Sequence, residues 1–294
     1  MIVVFGSINL DLIFSLPHIP TAGDTVLSPT LRQEPGGKGA NQALAAARDG
    51  ASVVLAGAIG RDALADAALA LLRAQNVDLT RVVPTAATTG CAAIAVDPAG
   101  RNAISVGSGA NLLARADQLE DALLGPGTTL LLQMEVPANQ NARLIARARA
   151  RGARVVLNLA PAMPLAHEAL RAVDVLLVNQ TEAQWLGRHL QTGDDAETLH
   201  AALGVAVVRT LGEGGVEAAY EGGRFRLPAR HVVPVDTTAA GDCFSGVLAA
   251  ALDRGATLEH ALARANAAAS LCCMRHGSQT SIPTAAEIDA IAAR

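Results

Sequence analysis

The segment Val235-Asp236-Thr237-Thr238-Ala239-Ala240-Gly241-Asp242-Cys243-Phe244 places a carboxylate directly after a turn of very small residues. Ala239, Ala240 and Gly241 leave room for backbone N–H groups to approach an anion, and a helix that begins here adds its positive dipole end. Asp242 would then face an acceptor, where a carboxylate can take the proton from an attacking hydroxyl. The pattern is typical of phosphoryl transfer, although an aspartate here also suits a plain helix N-cap.

A second glycine-rich segment, Gly36-Gly37-Lys38-Gly39-Ala40-Asn41-Gln42-Ala43, leads into a helical pattern from Gln42 to Arg48. It is not a Walker P-loop, because the spacing between glycines and the Ser or Thr after the lysine are both missing. Its glycines instead favour a turn that brings the backbone, Lys38 and Asn41 close to a small polar ligand.

Together with Gly6-Ser7-Ile8-Asn9-Leu10-Asp11, these two segments resemble the ribokinase branch of the PfkB carbohydrate kinase family. The resemblance runs essentially from end to end, and five further segments carry it in the family's order: 132–135, 157–162, 179–182, 210–215 and 277–281. It implies a ribokinase-like α/β fold, in which a mostly parallel central sheet is flanked by helices and carries a small antiparallel β lid.

Composition is consistent with a small-molecule enzyme. The chain has 294 residues, with 23 Lys and Arg against 27 Asp and Glu, and a formal net charge of −4. This mild charge, without a long basic run, argues against a surface for nucleic acid or anionic membrane. No export signal or membrane-length apolar run is evident. The four cysteines lack zinc-type spacing, so we expect a cytoplasmic protein with a small partner.

Short apolar, β-branched runs recur along the chain at 2–5, 53–56, 129–133, 154–157, 175–178 and 205–209. Helical patterns lie between and after them, at 62–75, 138–151, 181–190 and about 242–253, 257–275 and 284–293. This alternation predicts a mostly parallel sheet covered on both faces. Two segments, about 10–34 and 90–106, read as hairpin-like excursions. The resemblance makes them the lid of a single ribokinase-like domain spanning 1–294.

Asn9 and Asp11 follow the first strand, at the edge where ligands bind in open parallel sheets. An amide and a carboxylate two residues apart can reach adjacent hydroxyls of a sugar. The resemblance implies a sugar site formed by Asn9, Asp11, Gly37, Lys38, Gly39, Asn41, Glu135 and Asp242.

The resemblance also implies an ATP site and two cation sites. Its nucleotide-binding positions are Asn179, Thr210, Gly212, Gly215, Gly241 and Asn266, the last standing where the family often has His. Glu182 would hold Mg²⁺ through water, a sparse arrangement that suits Mg²⁺, although Asn179 and Glu182 also form an ordinary helix cap. For K⁺, the family supplies side-chain oxygens at Asp236 and Ser281, and carbonyls at Thr238, Cys272, Arg275 and Gly277.

The implied activity is ATP-dependent phosphorylation of D-ribose at the 5-hydroxyl, giving D-ribose 5-phosphate and ADP. Asp242 would act as the base, and the turn of Ala239, Ala240 and Gly241 would stabilise the transferring phosphoryl group. The resemblance further implies a homodimer formed through the lid.

Several alternatives stay open at this point. Deoxyribose or fructose could replace ribose, and a nucleoside is disfavoured because Phe14 is the lid's only aromatic residue. A Rossmann oxidoreductase would need G-x-G-x-x-G after the first strand, which is missing. A catalytically silent sugar or nucleotide sensor would have no need for Asp242.

Overall fold

The computed structural model describes residues 1–292, in which continuous apolar runs form the central strands, as expected of a sheet covered on both faces. The strands are β1 (Ile2–Phe5), β2 (Asn9–Ser15), β3 (Leu31–Gly36), β4 (Val53–Gly60), β5 (Asp78–Thr85), β6 (Gly90–Val96), β7 (Asn102–Gly107), β8 (Thr129–Leu132), β9 (Arg154–Asn158), β10 (Val175–Asn179), β11 (Ala206–Thr210), β12 (Val216–Tyr220) and β13 (Gly223–Leu227). The helices are α1 (Lys38–Arg48), α2 (Ala63–Ala74), α3 (Ala138–Arg151), α4 (His167–Leu170), α5 (Gln180–Leu190), α6 (Ala196–Leu203), α7 (Ala240–Asp253), α8 (Leu258–Cys272) and α9 (Ala285–Ala292). Within these residues, no helix combines the length and apolarity that a membrane span requires.

The large sheet has nine strands in the order β13-β12-β11-β10-β9-β8-β1-β4-β5. Strands β11 to β5 in this order are parallel, and β12 and β13 add an antiparallel edge. Alternate residues of β1 enter two separate cores, Ile2 and Val4 in one and Val3 and Phe5 in the other. Helices α1, α2, α7, α8 and α9 cover the first core, and α3 to α6 cover the second.

The small sheet, called the lid below after the prediction for these two excursions, has four strands in the order β3-β2-β6-β7. Each excursion is an antiparallel pair, β2 with β3 and β6 with β7. The central pair, β2 with β6, is parallel, because the two excursions leave the large sheet side by side and in the same direction. The lid is therefore two antiparallel hairpin-like units joined by one parallel pairing.

Two local differences from the sequence prediction have clear causes. Helix α1 begins at Lys38 and not at Gln42, because Gly37 adopts a φ of 89° at the N-cap and turns the chain directly into the helix. Strand β5 was not predicted, because it forms the exposed edge of the large sheet and mixes polar with apolar residues.

Helices α1 and α7 pack face to face over small residues. Gly246 of α7 lies against α1 so closely that a Cβ there would overlap the Gln42 carbonyl oxygen and lie 2.7 Å from Ala45 Cβ. Ala43, Ala45 and Ala46 on α1 are fully buried. Small side chains on both helices thus permit an approach that larger ones would block.

We expect Gly246→Ala to destabilise the protein. Glycine to alanine in an exposed helix stabilises by about 1 kcal/mol. Here the added methyl group meets backbone atoms, so the free energy of unfolding should fall by about 1–3 kcal/mol. Gly125→Ala is the control, since no atom lies within 4 Å of its added Cβ. Urea unfolding of both variants decides the point, and a Gly246→Ala protein as stable as the unaltered chain would contradict the close packing.

Candidate active site

The turn that the sequence predicts to bind an anion forms the start of α7. Ala239 is the N-cap and adopts a left-handed φ of 59°, a conformation that costs free energy in alanine and that clusters at functional sites. Asp242 lies in the first turn of the helix and is buried. Ala239, Gly241 and Asp242 line one cavity of about 240 Å³. Asp242 is therefore not the N-cap residue, and its carboxylate is free to act elsewhere.

Two amides from α1 hold the Asp242 carboxylate. Asn41 Nδ2 donates to Oδ2 at 3.0 Å, and Gln42 Nε2 donates to Oδ1 at 2.9 Å. Lys38, from the first turn of α1, lines the same cavity. The negative charge of Asp242 raises the pKa of Lys38 despite the opposing effect of burial, so the ammonium group stays charged.

Two of the residues predicted to bind the sugar, Asn9 and Asp11, lie on β2. Asn9 is buried, and its Oδ1 accepts a hydrogen bond of 2.7 Å from Asn111 Nδ2. Asn111 is held in turn by Ile8, whose N–H donates to Asn111 Oδ1 at 2.9 Å. This double contact fixes the amide orientation of Asn9, so that its own N–H donors point away from Asn111.

Asp11 is a buried carboxylate whose Oδ1 has no hydrogen-bond partner among residues 1–292. Burial, together with the nearby carboxylates of Glu135, Glu34 and Asp242, raises the pKa of Asp11 to about 7, against a weaker opposing effect from Lys38. An unpaired oxygen in a low-dielectric site binds a hydroxyl donor strongly, because that donor supplies the missing hydrogen bond.

Glu135 and the two glycines complete the predicted sugar site. Glu135 Oε2 accepts from Ser7 Oγ at 2.6 Å and from the Lys38 backbone N–H at 3.1 Å, which places a negative charge at the N-terminus of α1. A Cβ at Gly37 would lie 2.8 Å from the Asn9 backbone nitrogen. At Gly39 it would lie 2.6 Å from the Gly6 carbonyl carbon. Both glycines are thus required for α1 to approach β1 and β2.

A larger cavity of about 700 Å³ contains most of the predicted nucleotide positions: Thr210, Gly212, Gly215, Gly241 and Asn266. Thr210 and Gly241 line the smaller cavity too, so the two cavities adjoin. Asn179 lies in the smaller cavity only. Asn266 Nδ2 donates to the Pro228 carbonyl at 2.9 Å, which leaves Oδ1 as the atom available to a ligand.

Asn179 and Glu182 form the helix cap that the sequence also allowed. Glu182 Oε2 accepts from the Asn179 N–H, and Asn179 Oδ1 accepts from the Glu182 N–H, both at 2.8 Å. Glu182 nevertheless lines the same cavity as Asp242 and Lys38, and burial raises its pKa. Its Oε1 accepts no hydrogen bond from residues 1–292. Capping and ligand binding are therefore compatible in this residue.

Most of the residues predicted to bind K⁺ lie close together, next to the segment that leads into α7. The N–H groups of Thr238 and Gly277 donate to Asp236 Oδ1 and Oδ2 at 2.9 and 3.0 Å. Burial by itself would raise the pKa of Asp236, but these hydrogen bonds outweigh it and hold that pKa below its usual value. Ser281 Oγ lies 3.0 Å from Cys272 Sγ. Arg275 follows Cys272 closely, but its guanidinium pairs with Glu287.

One protein family matches nearly the whole chain. The pfkB family of carbohydrate kinases matches residues 1–285. The chain belongs to that family. This carbohydrate kinase is 35% identical over 295 residues to the ribokinase of Bacillus subtilis (strain 168), with 98% of each chain covered. It is 34% identical over 293 residues to the ribokinase of Haemophilus influenzae, covering 97% of this chain and 95% of that one.

Solved structures confirm the predicted ribokinase-like fold. The ribokinase from Thermotoga maritima superimposes with a TM-score of 0.91 at 31% identity, covering 100% of this chain and 99% of that one. Arabidopsis thaliana ribokinase complexed with ribose and ATP gives 0.88 at 28% identity, covering 99% and 98%.

Three polar residues of this carbohydrate kinase were missed by the sequence interpretation. Gln42 contacts Asp242, Asn111 orients Asn9, and Ser7 binds Glu135. Gln42 and Ser7 stand inside segments that carry the family resemblance, next to predicted site residues. Asn111 is a single amide after the lid, and its contact spans 102 residues of sequence, so no local pattern indicates it.

Proposed function

We propose that this chain catalyses the ATP-dependent phosphorylation of D-ribose at the 5-hydroxyl, giving D-ribose 5-phosphate and ADP. The observation that carries the proposal is the position of Asp242, where the cavity lined by the predicted nucleotide residues adjoins the one that contains Lys38 and Asp242. The ribokinase relatives, and the Arabidopsis structure complexed with ribose and ATP, support ribose as the acceptor.

In this proposal, each group has one task. Asn9, Asp11 and Glu135 bind sugar hydroxyls and orient the 5-hydroxyl towards Asp242, which accepts its proton. Backbone N–H groups at the start of α7 stabilise the phosphoryl group as charge develops on its oxygens. Lys38, held charged beside Asp242, adds a cation to the same cavity.

The residues present suit a Mg²⁺ ion that keeps most of its water ligands. Among residues 1–292, no group of three His, Cys, Asp or Glu side chains is placed to hold a metal. Glu182 lines the cavity of Asp242 and contacts the Asn179 N–H through Oε2, and Mg²⁺ commonly needs only one or two carboxylates besides water and phosphate. Mg²⁺ bound near Glu182 would neutralise charge on the ATP phosphates.

The test of the reaction is ADP release from ATP and Mg²⁺ with D-ribose, compared with deoxyribose and fructose. In Asp242→Asn, the base is lost while the shape is kept, so kcat should fall on the order of 10²- to 10⁴-fold. Calorimetry should show ribose and ATP binding largely retained.

Asp253→Asn is the matched control, because Asp253 ends the same helix and pairs with the N-terminal amine. Its kcat should stay within about twofold of the unaltered protein, as expected far from the reacting atoms. Near-normal kcat in Asp242→Asn would remove that residue from the mechanism.

A K⁺ site formed by Asp236, Ser281 and the carbonyls of Thr238, Cys272, Arg275 and Gly277 is also part of the proposal. The Thr238 N–H donates to Asp236 Oδ1, and the Thr238 carbonyl accepts from Cys272 Sγ at 3.8 Å, which in turn lies 3.0 Å from Ser281 Oγ. The Gly277 to Ser281 loop also touches the lid, since Ser278 Oγ donates to the Pro35 carbonyl at 2.6 Å. K⁺ held there supplies a positive charge that orders the turn before reaction.

K⁺ should therefore raise both activity and melting temperature, the second because a ligand of the folded state stabilises it. Na⁺, being smaller, should do less, and Asp236→Ala should flatten both dependences. Assays and thermal scans in Tris with K⁺ titrated against tetramethylammonium measure this, with Asp66→Ala as an exposed-carboxylate control. Equal rates and melting temperatures in the two salts would refute the site.

We further propose a homodimer through the lid. The pairing of β2 with β6 and of β6 with β7 places Ile94, Ile104 and Val106 on the same face of the small sheet as Asp11. Ile104 and Val106 are 54% and 51% exposed, an unusual amount of apolar surface beside a polar site. A second lid packed there would cover this face and help to exclude water from the sugar.

Ile104→Lys should convert the dimer to a monomer in sedimentation equilibrium, because it puts a charge into the apolar contact. Ser105→Lys is the control, since its side chain points to the opposite face of β7. A monomeric unaltered protein, or a dimer unaffected by Ile104→Lys, would contradict this interface.

The cytoplasm suits a kinase of this kind, because all four cysteines of the chain are free thiols in the structure. A small sugar and ATP are the proposed partners.

A further inference from the structure

Each oxygen of the Asp242 carboxylate accepts one side-chain amide from α1, and the two amides differ in exposure. Asn41 contacts Oδ2 and is 5% exposed, whereas Gln42 contacts Oδ1 and is completely buried. Neighbouring residues thus each hold one oxygen of the same carboxylate, and Gln42 is the more completely enclosed of the two.

Gln42 cannot act by touching a substrate. The backbone carbonyl of Gln42 packs against Gly246 of α7, and its side chain lines neither of the two cavities described above. Its Oε1 has no hydrogen-bond partner among residues 1–292. The amide still keeps this orientation, because a flipped amide would place Oε1 against the negative charge of Asp242 and lose the charge-assisted bond.

We propose that Gln42 is a positioning residue for the reaction: it fixes Oδ1 of Asp242 so that Oδ2 is the oxygen that receives the substrate proton. This inference rests on the proposed function, in which Asp242 is the base. Asn41 belongs to the predicted sugar site, so a bound hydroxyl can replace its amide at Oδ2. Gln42 then remains as the amide that keeps the carboxylate aimed at the acceptor.

The test compares Gln42→Met with the unaltered protein, using D-ribose and ATP. Methionine keeps a similar length but donates no hydrogen bond. Because small misplacement of a reacting group costs up to about 100-fold, we expect kcat to fall about 10- to 100-fold. The dissociation constants of ribose and ATP, measured by calorimetry, should change by less than about twofold, since only the orientation of Asp242 is altered.

Gln118→Met is the matched control, because Gln118 Nε2 also donates partly buried hydrogen bonds, to the carbonyls of Gly57 and Arg81 at 2.6 and 2.9 Å, and Gln118 lines neither cavity. It should leave kcat unchanged. Gln42→Asn is the second variant in case Gln42→Met does not fold. It keeps an amide but is one methylene shorter, so we expect an intermediate kcat with binding retained.

A double-mutant cycle separates this inference from the proposed function. If Gln42 acts through Asp242, adding Gln42→Met to Asp242→Asn should not lower the residual rate further. Normal kcat in Gln42→Met or Gln42→Asn, or an equal further loss in the Asp242→Asn background, would overturn the positioning role. Normal kcat in Asp242→Asn would instead overturn the assignment of the base.

Discussion

Helices α1 and α7 approach until Gly246 faces the Gln42 carbonyl oxygen, and this contact brings Asn41 and Gln42 to Asp242. The contact involves residues about 200 positions apart, and it depends on the small residues Gly246 and Ala45 at the closest approach. Larger side chains at this contact would push the two helices apart and so break the hydrogen bonds from the Asn41 and Gln42 amides to the Asp242 carboxylate. The orientation of Asp242 therefore depends on core packing and cannot be set by α7 alone.

Charge in the site is strongly unbalanced. Asp11, Glu135 and Glu182 lie close enough to Lys38 to influence its pKa, as does Asp242. Carboxylates gathered in a low-dielectric site repel one another, which contributes to the raised pKa of Asp11. Lys38 compensates part of this charge. Sugar hydroxyls would supply further donors, so the same surplus of acceptors that is unfavourable in the free protein favours a hydroxyl-rich ligand.

The fold was predicted correctly where a segment's own residues indicate its secondary structure. The continuous apolar runs of β1, β8, β9 and β10 indicate buried parallel strands, and Asp62 caps α2 within a residue of the predicted start. It failed for β5, an edge strand with mixed polarity. Pairing within the lid was also beyond the pattern, because the direction of β2 relative to β6 depends on how two distant segments leave the large sheet.

The sequence by itself determined the family, the alternation of strands and helices and the residue types of the site, since glycine-rich turns and the carboxylate at Asp242 stand within short segments. Only the tertiary structure decided how those segments meet. It assigned Gln42 to one oxygen of Asp242 and Asn111 to Asn9, and it buried Asp11 Oδ1 without a hydrogen-bond partner among residues 1–292. These relations depend on distance and solvent exclusion between segments remote in the chain, and local sequence patterns contain no information on either.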